Sequence, residues 1–292
     1  LRYFEGEKRE MNILHLSDLH FGPRHWYGDD EILLEKINSY PADVVIDTGD
    51  TTTDSRECEY VEAQKFLNKI NCEHFMAIIG NHDKRNLVGH ELFKEYIYNP
   101  QVIFPSDHRQ TQKQNLFLDR KITRLKENFT DVNFLEILTI DGKRVLFIGI
   151  DNTLVFNDNG FVEESILDSI EKKMRGMTYD LALLLTHYPL LGTNLDLFMN
   201  SRRLIDFVNS QKIEFVFCGH DHCLRLEKTY DLYADHRFYH FMCGTTASAN
   251  ISGGDDNMFL YYENIGDENF HLYVIRILRQ DGRLEFKEEK IR

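Results

Sequence analysis

Five short apolar runs each stop at residues able to hold a metal ion, and this repetition constrains the fold more than any other feature of the chain. Ile13 to Leu16 leads into Asp18-Leu19-His20, Val44 to Ile46 into Gly49-Asp50, and Phe75 to Ile79 into Gly80-Asn81-His82-Asp83. Leu181 to Leu185 leads into His187, and Phe215 to Phe217 into Gly219-His220-Asp221-His222. Runs this short, bounded by turn residues, read as buried strands. Between the first three lie two helical patterns. Asp29 to Tyr40 carries Ile32, Leu33 and Ile37 on one face, and Ser55 to Ile70 carries Val61, Ala63, Phe66, Leu67 and Ile70. The order strand, helix, strand, helix, strand implies parallel pairing with crossovers on the sheet faces. In open α/β sheets the functional crevice lies beyond the carboxyl ends of the strands, so all five polar blocks are expected at one edge.

After the third strand the pattern loosens. Asn99-Pro100, Pro105-Ser106 and the polar run Asp107 to Asn115 mark residues 84–131 as an insertion over the active edge, a lid that sets substrate size. Asn133 to Ile140 and Arg144 to Ile150 flank Asp141-Gly142, a dipeptide suited to a tight hairpin. A helix is expected over Phe161 to Arg175, with Ile166, Ile170 and Met174 inward, then a strand over Leu181 to Thr186. A helix over Asn200 to Asn209 and a strand over Ile213 to Cys218 follow. Arg237 to Cys243, Phe270 to Leu278 and Arg283 to Lys287 read as antiparallel strands. Residues 11–292 are expected to form a single domain. Residues 1–10 read as an extension upstream of Met11.

The formal net charge of −14 argues against a protein that grips long nucleic acid through clustered Lys and Arg. Metal ions can still make one site locally positive. The five cysteines form no CxxC pair, which suggests reduced thiols and a cytoplasmic protein. Cys218 and Cys223 flank the Gly-His-Asp-His run, yet read as small buried residues rather than ligands. No apolar run approaches the ~20 residues that span a bilayer, so no membrane partner is expected. Oligomeric state is not legible in any of these patterns.

In a strand or its direct extension, residues i and i+2 point to one side. Asp18 with His20, and His220 with His222, are therefore each expected to aim two ligands at one place. Oxygen and imidazole donors without thiolate suit Mn, Fe or Zn better than Ca or Mg. The set exceeds the three protein ligands of a single catalytic zinc and is enough for two ions with open positions. His15, inside the first strand, reads as a core group.

In the order Asp-x-His, Gly-Asp, Gly-Asn-His-Asp, His, Gly-His-x-His, the chain resembles the calcineurin-like metallophosphoesterase superfamily over about residues 11–250. The resemblance implies an α/β fold, a four-layer α/β/β/α sandwich of two mixed sheets flanked by helices. It also implies two metal ions, Mn and/or Fe with Zn as the other option. Asp18, His20 and His222 would hold the first, Asn81, His187 and His220 the second, and Asp50 would bridge. A phosphate ester would be attacked by a metal-bridging hydroxide, with His82 serving the leaving oxygen and Asp83 orienting its ring.

Departures from subgroup patterns narrow the expectation. Asp50 to Ser55 lacks the Arg found there in protein Ser/Thr phosphatases, Thr53 stands where purple acid phosphatases place a ligating Tyr, and His82 stands where lipid A precursor hydrolases carry Arg. What remains looks most like the class III cyclic-nucleotide phosphodiesterases, and Gly-Asn-His-Asp is shared with the exonucleases of DNA repair. The expected partner is a small phosphodiester or nucleotide-type ester, with nucleic acid disfavoured by the net charge. A non-catalytic scaffold on the same fold is the remaining rival, and here no ligand of the pattern is lost. Arg24, His25 and Trp26 follow the Asp-Leu-His block closely enough to reach a substrate, Trp26 by stacking on a base, or else to anchor the loop.

Overall fold

The computed structural model describes residues 11–26, 28–97, 132–192, 198–251, 255–280 and 283–292, and the backbone of two short strands at 111–113 and 127–129. In chain order the elements are β1 (Met11–Leu16), α1 (Asp30–Asn38), β2 (Val44–Asp47), α2 (Glu57–Leu67), β3 (His74–Ala77), a 3-10 turn (His82–Lys84), α3 (Gly89–Tyr96), β4 (Thr111–Lys113) and β5 (Glu127–Phe129). Then come β6 (Phe134–Ile140), β7 (Lys143–Gly149), α4 (Glu164–Met174), β8 (Leu181–Leu185), α5 (Ser201–Ser210) and β9 (Phe215–Cys218). The chain closes with β10 (Arg225–Asp231), β11 (His236–Met242), β12 (Asn257–Ile265), β13 (His271–Gln280) and β14 (Arg283–Lys290).

One six-stranded sheet has the order β14-β13-β12-β1-β2-β3 and a second β10-β11-β9-β8-β7-β6, while β4 and β5 pair separately. The expected parallel pairing is present. Ile13 lies opposite Val44, and Val44 opposite His74; β7, β8 and β9 are likewise parallel.

Alternation along the strands sorts the layers. Ile13, Val44, Ile46 and Met76 point inward and meet Phe147, Leu183, Leu185 and Phe217 of the second sheet. Their neighbours Leu14, Leu16, Val45 and Ala77 point outward to Leu33, Ile37, Tyr60, Ala63 and Phe66 of α1 and α2. On the far side Leu146, Ile148, Ala182, Leu184 and Val216 meet Ile166 and Ile170 of α4 and Leu204 and Phe207 of α5. The result is an α/β/β/α sandwich of two mixed sheets.

Several local expectations change. Ile32 is 45% exposed, and Leu33, Leu34 and Ile37 form the buried stripe of α1. β11 runs parallel to β9 and antiparallel to β10, so the C-terminal strands are not purely antiparallel. β10 escapes a pattern search because it is a polar edge strand with no fully buried residue. β12 escapes for the opposite reason: Met258 to Tyr262 is buried on both faces beside β1 and does not alternate. Asp141 and Gly142 both take positive φ, 49° and 83°, the tight hairpin expected of them.

Residues 84–97 do not form a loose cover. Lys84 is fully buried and Phe93 and Ile97 join the core beneath α2. Apart from β4 and β5, most of the expected lid lies outside the described residues, as do residues 1–10. Among the described residues no helix is long and apolar enough to cross a membrane.

Candidate metal centre

The five polar blocks emerge at the same edge because the loops that carry them are stitched to one another. Asp18 N–H donates to Gly49 O and His20 N–H to Asp50 O, both at 2.9 Å, joining the loops after β1 and β2. Gly219 N–H donates to His187 O at 3.1 Å, joining those after β8 and β9. Two glycines permit the close approach. A Cβ at Gly80 would fall on Asp50 N and Oδ1, and one at Gly219 on Ser17 Oγ.

Asp18, His20, Asp50, His220 and His222 all have positive φ, between 51° and 81°. This backbone is disfavoured for residues with a Cβ and gathers where function requires it. It also revises the same-side rule, because these residues sit in tight left-handed turns and not in strand extensions. Asp18 and His20 still converge, whereas His220 and His222 part and join different clusters.

In the first cluster His20 Nε2 and His222 Nε2 lie 2.9 Å apart, with Asp18 Oδ1 at 3.9 and 3.3 Å from them. Asp18 Oδ2 accepts from Ser17 Oγ at 2.5 Å and His220 N at 3.1 Å, while the buried Oδ1 accepts no hydrogen bond. In the second, His187 Nε2 is 2.9 Å from Asn81 Oδ1, and His220 Nδ1 is 3.1 Å from that oxygen. His187 Nδ1 faces the Thr48 carbonyl at 2.8 Å and holds a proton there, which leaves Nε2 as the atom turned to the cluster. Asn81 Nδ2 donates to Asp158 Oδ1 at 3.1 Å, so the amide oxygen is the atom turned inward.

Between His187 Nε2 and the Asn81 oxygen lies a place for positive charge, held by the imidazolium proton or by a metal ion that replaces it. Asp50 lies between the clusters: its Oδ2 is 3.4 Å from His187 Nε2 and 3.8 Å from His20 Nε2, while Oδ1 accepts His82 N–H at 2.7 Å.

The electrostatics agree. Burial raises both carboxyls, but His222 beside Asp18 and His187 beside Asp50 outweigh it and hold them below the usual range. Burial lowers His187, yet Asp50 outweighs it and lifts the imidazole to about 10. Burial pushes His20 down to about 3, leaving a neutral ring. The pocket holds positive charge, as a proton on His187 that metal binding would release, and offers the neutral ring of His20, so the donor set fits two metal ions.

The residues expected to surround this centre fare unequally. His82 Nδ1 is 2.6 Å from the Thr53 carbonyl and Nε2 is 3.0 Å from Arg24 Nη1. With its proton on Nδ1 and its lone pair taken by Arg24, the ring has none to offer a leaving oxygen. Asp83 does not orient that ring. Its carboxyl accepts Gly80 N at 3.0 Å, Thr51 N at 3.2 Å, and Thr52 N and Oγ1 at 2.8 Å each, tying the second and third blocks together. Burial raises it to about 7.

Arg24 enters the cleft, but His25 and Trp26 do not. His25 is buried against Phe21, ring centroids 4.0 Å apart, with Nδ1 2.8 Å from Leu19 O and Nε2 2.9 Å from Asp30 Oδ1. Trp26 is packed in the core and donates to Asp30 Oδ1 at 3.3 Å. It cannot stack on a base. His15 is a core group, 3.0 Å from Thr48 Oγ1.

A cleft of about 200 Å³ opens over Asp50, Asn81, His82, His220 and His222. Sequence reading passed over Arg85, Asp158 and Asn250 on its walls and Tyr188, whose ring lies 4.0 Å from that of His220. The Asn250 carbonyl receives His222 Nδ1 at 2.9 Å. None of these belongs to a spaced motif. Only the hydrogen-bonding need of each ligand pointed to some partner.

Residues 11–224 match the family model described as calcineurin-like phosphoesterase. No curated protein matches the chain. Among solved structures, a dimetal phosphatase from Danio rerio superposes with a TM-score of 0.57 at 11% identity, covering 97% of this chain and 99% of that one. The purple acid phosphatase PPD1 of yellow lupin (Lupinus luteus) gives 0.59 at 12% identity, covering 98% of this chain and 54% of that one. GAP50, described as the anchor in the inner membrane complex of Plasmodium, gives 0.54 at 12% identity, with 97% and 89% covered. At such identities these likenesses speak for the fold alone. The family model, spanning well over half of the sequence and all five candidate metal-binding blocks, places the chain in the calcineurin-like phosphoesterase family.

Proposed function

We propose that the protein is a two-metal phosphoesterase that hydrolyses small phosphodiesters or nucleotide-type phosphate esters, nearest in motif to the class III cyclic-nucleotide phosphodiesterases. Asp18, His20 and His222 would hold one ion, Asn81, His187 and His220 the other, and Mn and/or Fe suit these donors, with Zn as the alternative. The observation that carries the reading is the single Asp50 oxygen within 4 Å of an imidazole of each cluster, with the other oxygen held by His82 N–H. One carboxylate is thus aimed at both positions.

Bound there, two divalent ions would outweigh the two carboxylates, draw in a phosphate, acidify a water and offset the charge on the equatorial oxygens. The chain's own residues do the rest. Thr48 and Asn250 carbonyls fix the tautomers of His187 and His222, and Asp158 turns the Asn81 amide. Asp83 clamps the loops that carry Asp50 and Asn81. All five cysteines are unpaired, in keeping with a cytoplasmic protein.

The test is a hydrolysis panel with added Mn: cyclic nucleotides, bis-aryl phosphate, aryl phosphate, nucleotides and DNA. Metal-dependent turnover of the small diesters or nucleotides is expected. Faster degradation of single- or double-stranded DNA would move the assignment to a nuclease. A protein that holds two ions and turns over nothing would be a scaffold.

A further inference from the structure

Arg24 is built into the cleft as a fixed cation. Its backbone N–H donates to Thr53 Oγ1 at 3.3 Å, and its carbonyl accepts Ala249 N at 2.6 Å and Ser248 Oγ at 3.4 Å. The residues after it, His25 and Trp26, are buried. The half-buried side chain reaches back across the cleft wall, and Nη1 donates to His82 Nε2 at 3.0 Å. His82 can accept that bond because its own proton is committed to Thr53 O at 2.6 Å.

Among the described residues no carboxylate lies within ion-pair distance of this guanidinium. That is unusual in so acidic a chain, and Arg85 on the same cleft shows the contrast, since its Nη2 is 3.1 Å from Asp158 Oδ1. A guanidinium has five N–H donors in a planar fork suited to two oxygens of a phosphate. Arg24 spends one on a neutral ring.

Its position relative to the metal clusters narrows what it binds. His82 touches both Arg24 and the first cluster, its ring centroid 4.7 Å from that of His20, and Arg24 lines the same cleft as Asp50, His220 and His222. An anion received by the spare donors of Arg24 therefore shares this cleft with a phosphate seated on the clusters. A linear phosphoanhydride brings two linked phosphates to one such cleft, one for the clusters and one for Arg24.

We infer that Arg24, held in place by His82, receives the second phosphate of a phosphoanhydride substrate, a nucleoside diphosphate or disubstituted pyrophosphate, so that the site prefers two linked phosphates to one. The inference rests on the phosphoesterase reading above. In the reaction, the oxygen of water bonds to the phosphorus on the clusters and the bond from that phosphorus to the bridging oxygen breaks. The electron pair stays on the bridging oxygen, which departs as part of the second phosphate, and the water's proton goes to solvent. The departing oxygen is a phosphate oxygen and needs no proton, in keeping with a ring at His82 that has none to give. Arg24 takes the charge. His82 is a positioning residue.

The test compares the wild type with Arg24→Ala, Arg24→Lys, His82→Ala and the Arg24→Ala/His82→Ala double variant, all Mn-loaded and with metal content measured. Binding of inorganic pyrophosphate and inorganic phosphate is read by calorimetry, and turnover with a dinucleoside pyrophosphate and with bis(4-nitrophenyl) phosphate. Expected is a wild-type preference for pyrophosphate over phosphate that falls by about 10-fold or more in Arg24→Ala, the range for a hydrogen bond to a charged group. Arg24→Lys should recover part of it. His82→Ala should lower the same preference, with little further loss in the double variant. Metal content should hold, and turnover of the aryl diester should change by less than about 3-fold, a magnitude below that of one such bond.

A preference that survives Arg24→Ala, or losses that are equal on both substrates, would overturn the assignment. A wild type that binds both anions but hydrolyses nothing breaks the phosphoesterase reading instead, and the binding ratio then decides Arg24 alone. A wild type with no affinity for either anion overturns both.

Discussion

The two donor clusters draw on both sheets, yet they are not equivalent. Asp18, His20 and His222 supply a carboxylate, and are 0%, 0% and 6% exposed. Asn81, His187 and His220 supply a neutral amide oxygen instead, and His220 is half-buried on the wall of the cleft. Asp50 adds the same charge to each. The first cluster would thus set two carboxylates against an ion and the second one, in surroundings where burial strengthens each interaction. On the two-metal reading the difference separates retention from exchange: the first position would keep its ion, and the second, with the more exposed His220, would share its ion with substrate.

The largest effect is expected where the clusters meet. Asp50→Asn removes the one charge that both use, and turnover should fall by ~10³-fold or more, with both ions lost or weakened in elemental analysis. A variant that keeps two ions and its rate would refute the shared role and leave the clusters as independent sites. Graded chelation of the wild type sharpens the contrast. Metal content should pause near one ion per chain, and activity should vanish before that pause. Asp18→Asn should erase the pause by making the clusters alike in charge, and Asn81→Ala should leave only the tighter ion. If Asp18→Asn and Asn81→Ala deplete the same ion, the partition of ligands is wrong.

The two clusters also differ from their surroundings in how legible they were. All seven donors stand at the ends of apolar runs, and strand-end geometry alone brings them to one edge. The path of the backbone there was not legible, because the i, i+2 rule describes extended chain and five of the seven sit at positive φ. It placed His220 and His222 together, and the turn separates them. Roles that depend on what a side chain does not face were also hidden. Nothing in Gly80-Asn81-His82-Asp83 says that Asp83 turns back to Thr51 and Thr52, leaving the His82 ring to a backbone carbonyl. The aromatic in the 21–28 loop was an attractive base platform until its packing was visible, since Trp26 fills the core beside α1. Asp158, which lies in the loop between β7 and α4, has no motif around it and becomes meaningful only through its distance to Asn81.

That aspartate supports the smallest effect and the most selective one. Asn81 can offer either end of its amide to an ion, and only the oxygen is a ligand. Asp158 Oδ1 accepts Asn81 Nδ2 and Arg85 Nη2, both at 3.1 Å, so it decides which end turns inward while Arg85 steadies it from the solvent side. The first cluster has no such dependence, because Asp18 presents a carboxylate oxygen whichever way it turns. Asp158→Ala should therefore weaken the exchangeable ion by ~10- to 100-fold, the usual cost of losing a partner behind a ligand, and leave the retained ion untouched. Asp158→Asn keeps a carbonyl that can accept from Asn81 and should cost less. Competition with a metal-sensitive dye at both steps of the titration reads the two affinities separately. Equal weakening of both ions would mean that Asp158 acts through the general field of the cleft and not through the orientation of one amide, and the asymmetry between the clusters would then rest on charge alone.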